Sequence, residues 1–105
     1  MVRLGIYNKF TDSIIGARRG QVKWVNLDTG EIIKEFDWGI HPPLSMQTTI
    51  RLSFEREVEQ AREEGYTDIW IFNEDDEVTL REVGRKLGVY YEGYEKDRER
   101  GLWRG

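Results

Sequence analysis

Residues 45–73, SMQTTIRLSFEREVEQAREEGYTDIWIFN, constrain the fold more than any other part of this chain. Met46, Ile50, Phe54, Val58 and Ala61 recur at steps of four, four, four and three, which places them on one helical face. Arg51, Glu55, Arg56, Glu59, Arg62 and Glu63 cover the rest of the helix. Gly65 ends it, because glycine turns left-handed without a steric penalty. Ile69-Trp70-Ile71-Phe72 follows with no alternation. A run apolar on both faces predicts a central strand covered on each side, with Trp70 in the core. A helix that leads directly into such a strand requires an earlier strand to feed it, through a right-handed crossover.

Upstream, residues 2–10 (VRLGIYNKF) read as a first strand, with Leu4 and Ile6 on one face and Tyr7 and Lys9 on the other. Residues 16–20 (GARRG) read as a basic loop. Residues 21–27 and 31–38 read as a hairpin closed by Asp28-Thr29-Gly30, with Gly30 supplying the positive φ of a tight turn. Pro42 and Pro43 precede the long helix, and Ser45 is its N-cap. Downstream, Asn73-Glu74-Asp75-Asp76 is an acidic loop. Residues 77–87 form a second helix with Val78, Leu80, Val83 and Leu87 as its apolar stripe, and residues 89–91 form a last strand. Gly84 inside that helix costs about 1 kcal/mol relative to alanine, which implies close packing at that point. The order is β-β-β-α-β-α-β: a single α/β domain with a mixed sheet over residues 1–94, followed by a charged C-terminal tail at 95–105.

The remaining bulk properties narrow the function classes. At 105 residues the chain is one domain. Its 34% charged residues suit a soluble, cytoplasmic protein, and ion-pair networks of that density suit a thermophile. No run is long and apolar enough to span a bilayer, and Met1-Val2-Arg3 leads directly into a strand rather than a secretory signal. Without cysteine there is no disulfide, thiolate zinc site or cysteine nucleophile. The single histidine, His41, excludes multi-histidine metal sites. A net charge of -4 supplies no global attraction to nucleic acid, so a nucleic-acid surface has to be a local basic patch.

The element order, the hairpin QVKWVNLDTGEIIKEF and the long helix leading into the fourth strand resemble the ribonuclease H-like fold over residues 2–94. The resemblance implies phosphodiester cleavage with two divalent metals held by carboxylates. In that family one aspartate stands in the first strand, one glutamate early in the long helix and one aspartate at the end of the fourth strand. Those positions fall here on Tyr7 or Asn8, near Ile50, and on Asn73. Amides supply no charge to hold Mg²⁺. The resemblance therefore implies a degenerate, metal-free site.

The resulting expectation is a non-catalytic binding protein that engages a protein partner or a nucleoprotein complex, as a monomer or dimer, with no cofactor. Its nucleic-acid contacts would be Lys9, Arg18, Arg19 and Lys23, with Trp24 stacking on a base. Its partner contact would be the Leu102-Trp103 pair, an aromatic anchor in a charged segment. One alternative is a divergent nuclease that binds Mg²⁺ or Mn²⁺ through Asp75 and Asp76, with Asp12 and Glu55 completing the catalytic set. Capping of the second helix by Asp75 or Asp76 is the plainer reading of that loop. Another alternative is a small acidic inhibitor of a nucleic-acid-binding partner, carried by Glu55, Glu57, Glu59, Glu63 and Glu64.

Overall fold

The computed structural model describes residues 2–14, 17–40 and 44–101. The elements are β1 (Arg3–Ile14), β2 (Ala17–Asn26), β3 (Ile32–Ile40), α1 (Met46–Glu63), β4 (Asp68–Phe72), α2 (Glu77–Leu87), β5 (Tyr90–Tyr91) and α3 (Tyr94–Glu99). They build a five-stranded mixed sheet in the order β3-β2-β1-β4-β5. β1, β2 and β3 pair antiparallel as a meander, and the β1–β4 and β4–β5 pairs are parallel. The anticipated order of elements therefore extends through β5, and one further helix follows.

The first two strands are longer than their apolar patterns suggest. Their pairing passes a bulge between Phe10 and Asp12 and continues to Ile14 opposite Ala17. Arg18 and Arg19 therefore belong to β2 and not to a loop. The backbone ladder carries this extension. At the β2–β3 turn, the Asn26 side-chain oxygen accepts from the Asp28 and Thr29 amides, and Gly30 has φ 80. That side-chain-to-backbone bonding mimics a turn and sets the hairpin.

Cross-strand register fixes which residues share a face. Trp24, Ile6, Ile71 and Tyr91 form one row across β2, β1, β4 and β5. Ile50, Phe54 and Val58 of α1 and Leu80 and Val83 of α2 join this row in a single buried cluster. Both helices therefore lie on the same face of the sheet. Ser45 caps α1 by accepting from the Thr48 amide, and Gly65, at φ 97, turns the chain toward β4. Asp76 caps α2, and Gly88, at φ 68, ends it.

The opposite face carries no helix of the main pair, and this corrects the expectation that β4 is covered on both sides. Ile69 and Ile71 are buried, whereas Trp70 and Phe72 are only half-buried. Their cover comes from neighbouring aromatic rings. Phe72 stacks on Tyr7 at 4.4 Å and Trp70 stacks on Tyr90 at 4.7 Å between ring centroids. The Arg3 guanidinium lies 5.8 Å from the centre of the Trp70 ring. Val78, placed in the stripe of α2 by its spacing, is 63% exposed because it sits in the first turn, outside the helix–sheet contact.

The start of the charged stretch after residue 94 is part of the packed structure. Asp97 of α3 is 1% exposed. It accepts from the Tyr91 hydroxyl and from Arg85 at 3.2 Å, and it pairs with Arg81 at 3.1 Å. Burial disfavours its charge, but the Tyr91 hydrogen bond and the two guanidinium groups outweigh that and hold its carboxyl below the ordinary value. Bonds from the Thr79 amide and hydroxyl likewise hold Asp76 low. A carboxyl depressed by folding stabilises the fold above its unfolded pKa of 3.8, and that stability is lost as pH falls through the lower folded value. Denaturant midpoints measured across this acid range should therefore fall with pH in the wild type, and fall less in Asp97→Asn.

Gly84 gives a second test. A Cβ at this position would overlap the Tyr91 ring. Helix propensity alone makes Gly84→Ala stabilising by about 1 kcal/mol. Overpacking of roughly 1–3 kcal/mol acts in the other direction. Urea denaturation should show a net loss of stability.

Candidate functional site

The parallel pairing of β1 with β4 brings the ends of two strands together at one edge of the core. Asn8 is 3% exposed and Asn73, just past β4, is 2% exposed. The Asn73 amide donates to the Asn8 carbonyl at 2.8 Å. The Asn8 amide donates to Ser53 Oγ of α1 at 2.7 Å, and its side-chain oxygen accepts from Trp38 Nε1 at 3.0 Å. The Asn73 side-chain oxygen accepts from the Asp75 and Asp76 amides at 2.8 and 3.0 Å, which shapes the entry to α2. Every polar end of both amides is engaged. The three buried side chains are neutral and satisfied, and the carboxylate that Asn73 also reaches, Asp75 at 3.4 Å, is itself exposed, so no buried charge needs balancing.

The helix contributes Ser53, one turn beyond the position near Ile50 that spacing suggests. Ile50 is fully buried in the core. The signal for Ser53 is faint in the sequence: a small polar residue between Leu52 and Phe54, adjoining the apolar stripe.

Among the described residues the carboxylates of the nuclease alternative do not assemble. Asp75 accepts from the Phe10 amide at 3.1 Å and lies beside the two asparagines. Asp76 has both oxygens turned to Thr79. Glu55 pairs with Lys86 of α2 at 2.6 Å. It is two residues from Ser53, and residues at that spacing point to different sides of a helix. Asp12 lies opposite Arg19 in the β1–β2 ladder, and its side chain falls outside the described residues. Among the described residues no three His, Cys, Asp or Glu side chains are grouped to hold a metal ion.

The predicted basic set divides. Lys9 and Lys23 both project from the open face, flanking the Tyr7–Phe72 stack, and Lys23 is the cross-strand neighbour of Tyr7. Neither forms an ion pair among the described residues. Arg19 is exposed. Arg18 is engaged internally: its Nε donates to the Leu44 carbonyl at 3.0 Å and its guanidinium lies 5.5 Å from the Phe10 ring centre. Trp24 cannot stack on a base. It is fully buried against α1, donates to Glu57 at 3.1 Å and is covered by Lys34 at 4.0 Å. The aromatic residues that do face outward are Tyr7 and Phe72. Their place was missed because β4 reads as apolar on both sides. Leu102 and Trp103 lie outside the described residues.

Of the glutamates of the inhibitor alternative, Glu55, Glu59 and Glu63 border one surface groove together with Arg62, and the other two are engaged elsewhere. Glu57 is buried against Trp24, Glu55 turns toward α2, and Glu64 pairs with Lys34 at 3.0 Å.

On the open face, Tyr7, Phe72, Lys9, Lys23 and Gln21 border a shallow groove of about 490 Å³, and Glu74 and Glu92 stand among its other walls. Among the described residues no helix is long and apolar enough to cross a membrane. No family model matches the chain, and no curated protein matches it. Among solved structures the chain is similar to the Aquifex aeolicus member of the Ppx/GppA protein family, at 12% identity and a TM-score of 0.40. The match covers 84% of this chain and 35% of that one.

The asparagine network gives a direct test. Asn73→Asp removes the donor to Asn8 and sets a second carboxylate against Asp75. The loss of stability at neutral pH should be about 1–3 kcal/mol, the usual effect of leaving a buried group unpaired. Chemical denaturation measures it.

Proposed function

We propose that this chain is a non-catalytic binding domain of ribonuclease H-like architecture that engages a nucleoprotein complex through its open sheet face. The observation that carries the reading is the neutral Asn8–Ser53–Asn73 network. It occupies the first strand, the long helix and the end of the fourth strand, the three elements from which the resembled nucleases draw their metal-binding acids. A buried site of neutral side chains, with Asp75 as the one carboxylate bonded to it, offers a divalent cation little to offset its loss of hydration.

The contact surface follows from what is left unpaired. The Tyr7–Phe72 stack presents a flat apolar edge at which an unstacked base can pack. Lys9 and Lys23 stand beside it as free cations for phosphates. Arg19 adds a further cation along β2, and the acidic Glu35 and Asp37 of β3 limit the contact on that side. The acidic remainder of the molecule keeps this contact local and salt-sensitive.

Calorimetric titration with Mg²⁺ and Mn²⁺ should show no binding, and labelled single strands should remain intact in the presence of either ion. Fluorescence anisotropy should detect salt-dependent binding of those strands. Lys9→Ala/Lys23→Ala should lower the slope of log affinity against log salt by about 1.4, at about 0.7 per phosphate contact on a single strand. Metal-dependent cleavage would overturn the non-catalytic reading. An unchanged salt slope would overturn the placement of the contact.

A further inference from the structure

β3 forms one end of the sheet, so one side of its backbone has no strand partner among the described residues. Its pairing with β2 skips Ile33 and is regular from Lys34 to Ile40, which leaves a straight outer edge of that length. An edge of this kind is a template for another extended chain. Its side chains state which chain it suits.

Glu35 and Asp37 project on the open face, both exposed. Gln21 donates to them at 3.1 and 3.4 Å, but neither forms an ion pair among the described residues. On the helix side the same edge presents Phe36 and Trp38, both half-buried. Beyond Trp38 lies a hollow whose lining includes Leu52 of α1, a side chain 48% exposed. The strip is acidic on one face; on the other it is apolar at Phe36, Trp38 and Leu52, flanked by Lys34, which pairs with Glu64, and by Arg56, which pairs with Glu57.

This pattern disfavours a second copy as occupant. In a two-fold antiparallel pair, each residue meets the one equally far from the centre. The register that uses the whole edge from Lys34 to Ile40 sets Asp37 on Asp37. Moving the centre to Phe36 sets Glu35 against Asp37 twice. Moving it to Trp38 leaves Lys34 and Glu35 outside the regular pairing. Like charges directly opposite each other destabilise a ladder.

We infer that the outer edge of β3 binds an extended peptide segment of another protein in which basic and apolar residues alternate. Its main-chain amides and carbonyls pair with the free edge. Its basic side chains meet Glu35 and Asp37, and its apolar ones cover Phe36, Trp38 and Leu52. The period of two along a strand sends these two sets to opposite faces, and a slip of one residue reverses them. This site adjoins the groove beside Lys9 and Lys23, since Lys23 stands opposite Glu35 in the ladder and Gln21 borders both, but its test does not depend on nucleic-acid binding.

The experiment is fluorescence anisotropy with a labelled Lys-Val-Lys-Val-Lys-Val-Lys-Val peptide, its counterpart with glutamate for lysine, and the lysine peptide N-methylated at alternate positions along one edge, in both phases. The lysine peptide should bind, and one N-methylated phase should lose that binding. Glu35→Lys/Asp37→Lys should weaken the lysine peptide about tenfold and bind the glutamate peptide instead, the gain showing that the variant is folded. Lys9→Ala/Lys23→Ala, which removes the cation opposite Glu35, should bind the lysine peptide at least as tightly as the wild type does. Absence of binding, full binding by both N-methylated peptides, or undiminished binding by the charge-reversed variant would each overturn the inference.

Discussion

The parallel ladder between β1 and β4 is the constraint on which the rest of the structure depends. It joins Arg3 through Tyr7 to Asp68 through Phe72, across more than sixty intervening residues. The intervening hairpin and α1 can close that distance only if α1 lies against the sheet, and the row from Trp24 to Tyr91 supplies the apolar surface that holds it there. Once the ladder is formed, its two faces serve different purposes. On the helix side it brings Asn8 and Asn73 together under Ser53. On the open side it brings Tyr7 onto Phe72. The buried network and the exposed stack are thus consequences of one register.

The balance of charge follows the same division. Buried ionisable groups have partners: Glu57 meets the Trp24 indole and Arg56, and Asp97 meets Tyr91, Arg81 and Arg85. Breaking such a group out of its set leaves a charge with no solvent, which is the costly case. The ion pairs on the helix surfaces, Arg51 with Glu82 and Lys86 with Glu55, tie α1 to α2 but remain in water, where each contributes little. Lys9, Lys23, Glu35 and Asp37 stand outside both groups. They occupy the open face and its edge, the part of the molecule where charge has not been used to hold the fold.

Much of this was legible in the chain. The steps of four and three from Met46 to Ala61, bounded by Ser45 and Gly65, specify α1 because helical periodicity and capping are local properties. Asp28-Thr29-Gly30 specifies the hairpin and Asp76 the start of α2 for the same reason. The amides at positions 8 and 73 were also visible as neutral residues where the resembled nucleases have acids. What could not be read is which residues on different elements meet. Ser53 rather than Ile50 reaches Asn8 because the rotation of α1 about its axis is set by packing against the sheet. Trp24 and Tyr7 are both aromatic residues in strands, and only the choice of helix-bearing face decides that one is sealed in and the other open.

The sequence by itself determined the order of elements from β1 to β5 and the ends of α1, since these follow from spacing and backbone chemistry within a few residues. The tertiary structure decided the rest. It extended β1 and β2 past their apolar patterns by ladder hydrogen bonds, and it folded the start of the charged stretch, as α3, back through Asp97. It also left β4 covered by aromatic rings instead of a second helix layer. Each of these depends on contacts between residues far apart in the chain, and the strength of such a contact is a property of the pair, which neither residue carries alone.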